Sequence, residues 1–276
     1  MKQKKKKKES PEEFAAARLD ELESKYGTEA ANPKILKEIK KKRSERRKQD
    51  LETFYKILKK LEQKIGGSRY LSNCNGQMNW PKKGIYFFFE DGEFRENAKQ
   101  LRVVRIGTHA VSKGSKSLLW GRLRSHRGTV KGSHRGGGNH RGSIFRLHIG
   151  TALINKYGFK EFSKWGIGSS ASSSIRDKEY SLEVRVSKKI GSMPFLWLKA
   201  EDKSGPDSIR KFIERNSLAL LSNYDRQPID LPSEKWIGKY CSNDRICRSG
   251  LWNVDHIDES YNPKFLDAME QLINSM

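Results

Sequence analysis

The chain has 276 residues, of which 35% are apolar and 32% charged, and its formal net charge is +23. That length allows one sizeable core, and clusters such as Phe87-Phe88-Phe89 and Phe195-Leu196-Trp197-Leu198 exclude a continuously disordered chain. So large a positive charge repels itself and points to an anionic partner, most simply a polyanion.

In chain order, Lys4 to Lys8 form an unbroken lysine run, a disordered basic arm or an import signal. Ser10-Pro11-Glu12-Glu13 places an N-cap, a proline and two acids in a first turn, so a helix is predicted to about Lys25, broken by Gly27 and Pro33. A second helix is predicted from Pro33 to Lys64, with Ile35, Ile39, Leu51, Phe54, Tyr55, Leu58 and Leu61 as its sparse apolar stripe and Gly66-Gly67 as its end. Residues 1–66 thus read as a basic, partly disordered helical region, and 67–276 as the globular part. Gly84–Glu90 and Leu101–Gly107 read as antiparallel neighbours joined by a turn at Glu90-Asp91-Gly92-Glu93. Leu118–His126 has helical spacing. A glycine-rich basic loop, Arg127–Gly142, follows, then helices over Phe145–Tyr157 and Lys178–Ile190 separated by a serine-rich break. Met193–Lys199 is a strand, Gly205-Pro206-Asp207-Ser208 opens a helix to about Asn223, and Pro263–Ile273 is amphipathic. The expected fold is α/β (α+β): a small, mostly antiparallel three-stranded sheet flanked by helices.

The three cysteines, Cys74, Cys241 and Cys247, make no disulfide framework and suit a reducing compartment, so a cytoplasmic protein is expected. No apolar run approaches the ~20 residues needed to span a bilayer. No Asp or Glu occurs between Glu96 and Glu161, while Lys and Arg recur throughout. Such a stretch suits phosphate, and Lys113, Lys116, Arg127, Lys131, Arg135 and Arg141 are its candidate nucleic-acid contacts. The glycines of the loop would let it approach a duplex closely. His134, His140 and His148 lack tight metal-ligand spacing. Glu183 reads as the partner of Arg185 or a nearby lysine.

Hydrolysis of a phosphodiester needs a polarised water, a cation against the developing charge, a metal ligand and a group near the leaving oxygen. Arg122 and His126, four apart on a predicted helix, leave one face and suit a phosphate and a proton. Gly84-Ile85-Tyr86, then Arg105-Ile106-Gly107 on the next strand, then Arg122-x-x-x-His126, together resemble the GIY-YIG nuclease family. Glu214, in Phe212-Ile213-Glu214-Arg215-Asn216, resembles that family's metal-binding glutamate. The resemblance implies a DNA endonuclease using Mg²⁺ or Mn²⁺. Tyr86 would position or deprotonate the water, Arg122 hold the phosphate, His126 assist proton transfer, Glu214 ligate the ion and Asn223 buttress the site. Arg105 stands where the family has a second tyrosine and would be an additional phosphate donor. Asn223 lies nearer to Glu214 than the family's asparagine does, and the interval from His126 to Glu214 is long. Residues 127–192 read as an insertion and 224–276 as a C-terminal extension. The resemblance suits a restriction or anti-phage enzyme, acting as a homodimer or as a subunit of a defence complex. Repair or mobile-element nicking is the alternative, as is a nuclease-like fold that binds nucleic acid without cutting.

Overall fold

The computed structural model describes residues 33–96 and 100–276. The lysine run and the helix expected over Ser10–Lys25 lie outside the described residues. Helix α1 spans Pro33–Lys64, and it ends where Gly66 (φ 77°) and Gly67 (φ 102°) take up left-handed conformations. Strand β1 (Arg69–Tyr70) follows, then β2 (Gly84–Phe94), β3 (Leu101–Gly107), helices α2 (Leu119–Arg127), α3 (Ile144–Tyr157) and α4 (Ser173–Gly191), strand β4 (Pro194–Lys199), and helices α5 (Ile209–Leu221), α6 (Asp244–Ser249) and α7 (Lys264–Asn274). The sheet is antiparallel throughout, in the order β1-β4-β2-β3. Its fourth strand, β1, is two residues long, too short to leave a periodic signal.

Successive side chains of a strand face opposite ways, and here both faces are covered, which is why β2 and β4 read as unbroken apolar runs rather than alternating ones. Ile85, Phe87, Phe89, Leu196 and Leu198 enter one core with Leu51, Phe54, Leu58 and Leu61 of α1, Ile213 and Leu218 of α5, and Phe265 and Met269 of α7. Tyr86, Phe88, Phe195 and Trp197 enter the other with Leu119 and Leu123 of α2, Phe145 and Ile149 of α3, and Leu182, Val186 and Ile190 of α4. Helices α3 and α4, expected as an insertion, are therefore the wall of the second core.

The turn expected at 90–93 is part of β2, with register shifts between Phe88 and Phe89 and between Phe89 and Phe94. Its two glutamates are buried acceptors. Glu93 takes Arg102 (2.6 Å) and the Ser233 N–H (3.0 Å), while Glu90 takes Lys189 (2.5 Å) and the Trp236 Nε1–H (3.2 Å). Residues with turn composition are thus recruited by partners far along the chain. Edge strand β3 is covered by a later segment: the Trp252 N–H donates to the Val104 carbonyl (2.7 Å), and the Asn253 side chain bonds both main-chain groups of Ile106 (3.1 and 2.8 Å). No helix among the described residues is long and apolar enough to cross a membrane.

The chain groups into two units, residues 1–49 and 50–276. Residues 50–66, which composition assigns to the basic N-terminal region, thus belong with the globular unit. Composition follows charge, whereas packing follows Leu51, Phe54, Leu58 and Leu61. Phe54 is fully buried, so Phe54→Ala should cost about 3–5 kcal/mol of unfolding free energy in urea denaturation, and a loss below about 1 kcal/mol would remove α1 from the core.

Candidate active site

Tyr86 lies opposite Gly107 in the β2–β3 register. A Cβ at Gly107 would fall 2.3 Å from Tyr86 Oη, so the phenol crosses the neighbouring strand at a residue with no side chain in its way. Gly84 is required for a different reason: a Cβ there would stand 2.6 Å from the Leu198 carbonyl oxygen.

The Tyr86 hydroxyl is 2.9 Å from His126 Nε2, and both groups are buried. His126 arrives on α2, held from behind by Ser143 Oγ at 2.7 Å from Nδ1 and by Arg146 Nη1, which donates to its carbonyl (2.8 Å). Burial, followed by the charges of Arg105, Arg122 and Arg146, holds the imidazole well below its ordinary pKa. It is therefore neutral at neutral pH, with one N–H and one lone pair. With the proton on Nδ1 toward Ser143, Nε2 accepts a hydrogen bond from the phenol.

Arg122 sits one turn before His126 and is half-buried. Among the described residues, none hydrogen-bonds or pairs with its guanidinium, and its charge acts on Arg105, His109, His126 and Glu214. Glu214 reaches the end of β3 from α5, where Oε1 accepts the Thr108 N–H (3.1 Å). Thr108 is itself tied to the Gly84 carbonyl through Oγ1 (2.9 Å). Burial raises the Glu214 pKa; Arg105, the Thr108 N–H, His256 and Arg122 work against that rise. No protein donor among the described residues bonds Oε2. A desolvated carboxylate with a free oxygen fits a hard divalent cation. The flanking Arg210 and Lys211 do not take it. Arg210 is fully buried and holds Asp202 (2.5 Å) and the carbonyls of His109 and Ala110.

Other expected residues fall elsewhere. Arg105, expected as an additional phosphate donor, is only 5% exposed. Its Nη1 donates to the Trp252 carbonyl (2.5 Å) and its guanidinium lies 4.6 Å from the Phe145 ring centre. The segment along the β3 edge encloses it, so it acts on Tyr86 and Glu214 as a fixed buried charge. Asn223 is engaged within the fold. Its Oδ1 accepts the Ile229 N–H (2.9 Å), and it lines a recess with Tyr55, Arg102 and Asp230.

The basic loop divides in two. Arg141 is taken by Glu179 (2.6 and 2.9 Å), its side chain 4% exposed, and so offers nothing to a phosphate. Some of the loop glycines serve packing rather than approach to a duplex: a Cβ at Gly138 would strike the Arg146 guanidinium at 2.2 Å and one at Gly128 the Gly137 carbonyl oxygen at 2.2 Å, whereas at Gly132, Gly136 and Gly142 it would meet nothing within 4 Å. Glu183 pairs not with Arg185 but with Arg146 and with His140 (2.9 Å). Lys131, Arg135, Lys113 and Lys116 are exposed, and Arg127 is half-buried beside the Ser72 carbonyl (3.4 Å). Among the described residues, no three His, Cys, Asp or Glu side chains gather to hold a metal ion.

Sequence reasoning misses one residue of the site. His109 is 6% exposed, with Nδ1 3.1 Å from the Ser117 carbonyl and Nε2 buried without a partner. Burial, Arg210 and then Arg122 push its pKa down to about 4. Only its place two residues after Gly107 could have marked it.

The GIY-YIG domain matches residues 45–276. No match was found among curated proteins or among solved structures. The chain belongs to the GIY-YIG nuclease family, whose domain is that of an endonuclease.

This geometry can be tested at the strand crossing and in the loop. Gly107→Ala pushes against the Tyr86 phenol and should lower cleavage on the order of 10²-fold or more, as Tyr86→Phe should by deleting the same oxygen. A Gly107→Ala protein that cuts at the wild-type rate would show that the ring can move aside. In the loop, Lys131→Ala with Arg135→Ala should lower DNA affinity and reduce the slope of log K against log salt by about 0.9 for each phosphate no longer neutralised. Arg141→Ala should instead lower thermal stability. Equal affinity losses from both changes would contradict the division.

Proposed function

We propose that the chain is a divalent-metal-dependent DNA endonuclease. The observation that carries this reading is the half-buried Arg122 guanidinium, without a protein partner among the described residues, one turn from the buried Tyr86–His126 pair. Most other buried arginines of this fold are matched by a carboxylate: Arg146 by Glu183, Arg141 by Glu179, Arg102 by Glu93 and Arg210 by Asp202. A guanidinium left unmatched in such company suits a phosphate, which it binds through paired N–H donors.

In this mechanism Arg122 binds the scissile phosphate and stabilises the charge that develops on it. Tyr86 orients the attacking water and takes its proton while passing its own to His126 Nε2. Arg105 places a fixed positive charge beside the phenol from inside the protein. Glu214 would hold the divalent ion, which supplies Lewis-acid stabilisation of the phosphate and leaving oxygen. The exposed side chains of Lys131 and Arg135 support a role in choosing where DNA is cut, as in restriction or anti-phage defence.

Supercoiled plasmid incubated with the full chain should be nicked or linearised with Mg²⁺ or Mn²⁺ and left intact with EDTA. Cutting unaffected by EDTA, or absent under every ion while DNA is bound, would overturn the proposal. Stability gives a second readout. A carboxyl whose folded pKa is raised stabilises the fold while protonated, and that contribution is lost as pH rises through the raised value. Glu214→Gln should therefore raise the Tm of the metal-free protein at neutral pH, remove any further rise on adding Mn²⁺, and abolish cleavage. For the same reason wild-type cleavage should fall on acidification at a pH above the ordinary carboxylate range, because the proton competes with the cation. An unchanged Tm together with wild-type cutting in Glu214→Gln would exclude Glu214 as the ligand.

A further inference from the structure

The segment after Trp252 holds a histidine that the mechanism above does not use. Trp252 and then Asn253 bond Val104 and then Ile106, so the segment advances alongside β3 in the strand's own direction, toward Thr108. Thr108 is the residue whose N–H docks Glu214. Three residues beyond Asn253, His256 takes φ 62°, a left-handed conformation that histidine enters more readily than most residues with a side chain.

The imidazole is held from one side only. Nδ1 is 2.8 Å from Glu259 Oε1, and Glu259 Oε2 in turn accepts from Arg215, the neighbour of Glu214 on α5. Nε2 has no hydrogen-bond partner among the described residues. When protonated, the ring is one of the charges that work against the rise in the Glu214 pKa. A histidine that donates Nδ1–H to a carboxylate presents Nε2 as a lone pair, and metal-ligating histidines are oriented in this way.

We propose that His256 Nε2 is a second protein ligand, beside Glu214, for the divalent ion of this site, with water and a phosphate oxygen completing the coordination. The inference rests on the reading of Glu214 as a metal ligand. It has a consequence that an all-oxygen site lacks. Mg²⁺ takes oxygen ligands, whereas Mn²⁺ also accepts imidazole, so the site should favour Mn²⁺. Glu259 and Arg215 then act as positioning residues.

The test is Mn²⁺ binding to the full chain, followed by electron paramagnetic resonance with detection of ¹⁴N coupling to the bound ion. The wild type should show ¹⁴N coupling from one imidazole. His256→Asn, chosen because asparagine tolerates the left-handed conformation, should lose that coupling and bind Mn²⁺ about tenfold or more weakly, with Mg²⁺ affinity nearly unchanged. Glu259→Gln should keep the coupling and weaken Mn²⁺ binding by about 10–100-fold. Bound Mn²⁺ without ¹⁴N coupling in the wild type, or coupling that survives in a folded His256→Asn, would overturn the role of His256. The first of these results, with binding still abolished by Glu214→Gln, leaves Glu214 standing as the ligand. Mn²⁺ binding that is indifferent to Glu214→Gln overturns both readings at once.

Discussion

The Arg146–Glu183 pair joins parts of the chain that are otherwise far apart. Arg146 is fully buried on α3 and Glu183 is 4% exposed on α4. The guanidinium also donates to the His126 carbonyl on α2 (2.8 Å) and to Ser187 (3.0 Å), while Glu183 accepts the main-chain N–H of His140 in the glycine loop (2.6 Å). His140 completes the arrangement by stacking on Trp165 with ring centres 3.8 Å apart. Removing one partner of such a pair leaves a buried charge uncompensated, which costs about 3–5 kcal/mol. Here it would also release the backbone of the histidine that faces Tyr86. The region between α2 and β4 is thus the frame of the candidate catalytic pair.

The same pattern accounts for the distribution of charge. A chain with a net charge of +23 must place many cations, and several are carried inside against carboxylates. Arg95 meets Asp230 (2.7 Å), Arg102 meets Glu93 (2.6 Å), and Arg210 meets Asp202 (2.5 Å). These pairs consume acids that would otherwise dilute the positive surface. They leave Arg122 half-buried and unmatched, and Lys113, Lys116, Lys131 and Arg135 exposed. The outer lysines and Arg135 suit long-range attraction of a polyanion, which salt screens. Arg122 suits local stabilisation of charge in the site.

The C-terminal segment solves a problem of the sheet and carries a candidate ligand. Strand β3 would be an open edge, with unpaired N–H and C=O groups available to any other strand. Trp252 and the amide side chain of Asn253 satisfy those groups. The same run encloses Arg105 through the Trp252 carbonyl and carries His256 toward Glu214. An edge cap and a candidate ligand are thus two consequences of one main-chain path.

Local signals were sufficient for most of the longer elements and for the motif residues. Helix α1 from Pro33 to Lys64, strand β3 and the placement of Tyr86, Arg122 and His126 on β2 and α2 follow from periodicity, caps and glycines, all of which act within a few residues. Pairing across the chain is different, because it depends on which distant groups fill the space around a residue. An acid-free window of sequence does not make an acid-free surface: Glu179 and Glu183, distant in sequence, neutralise Arg141 and Arg146. Glu90 and Glu93 have turn composition yet are buried acceptors inside β2. Arg105 turns inward because Trp252 arrives beside it, Asn223 goes to another recess with Ile229, and His109 and His256 carry no motif of their own. Residue type and spacing fix what a side chain can do. Only the tertiary arrangement decides whether its partner is the protein, leaving it structural, or is missing, leaving it for a substrate.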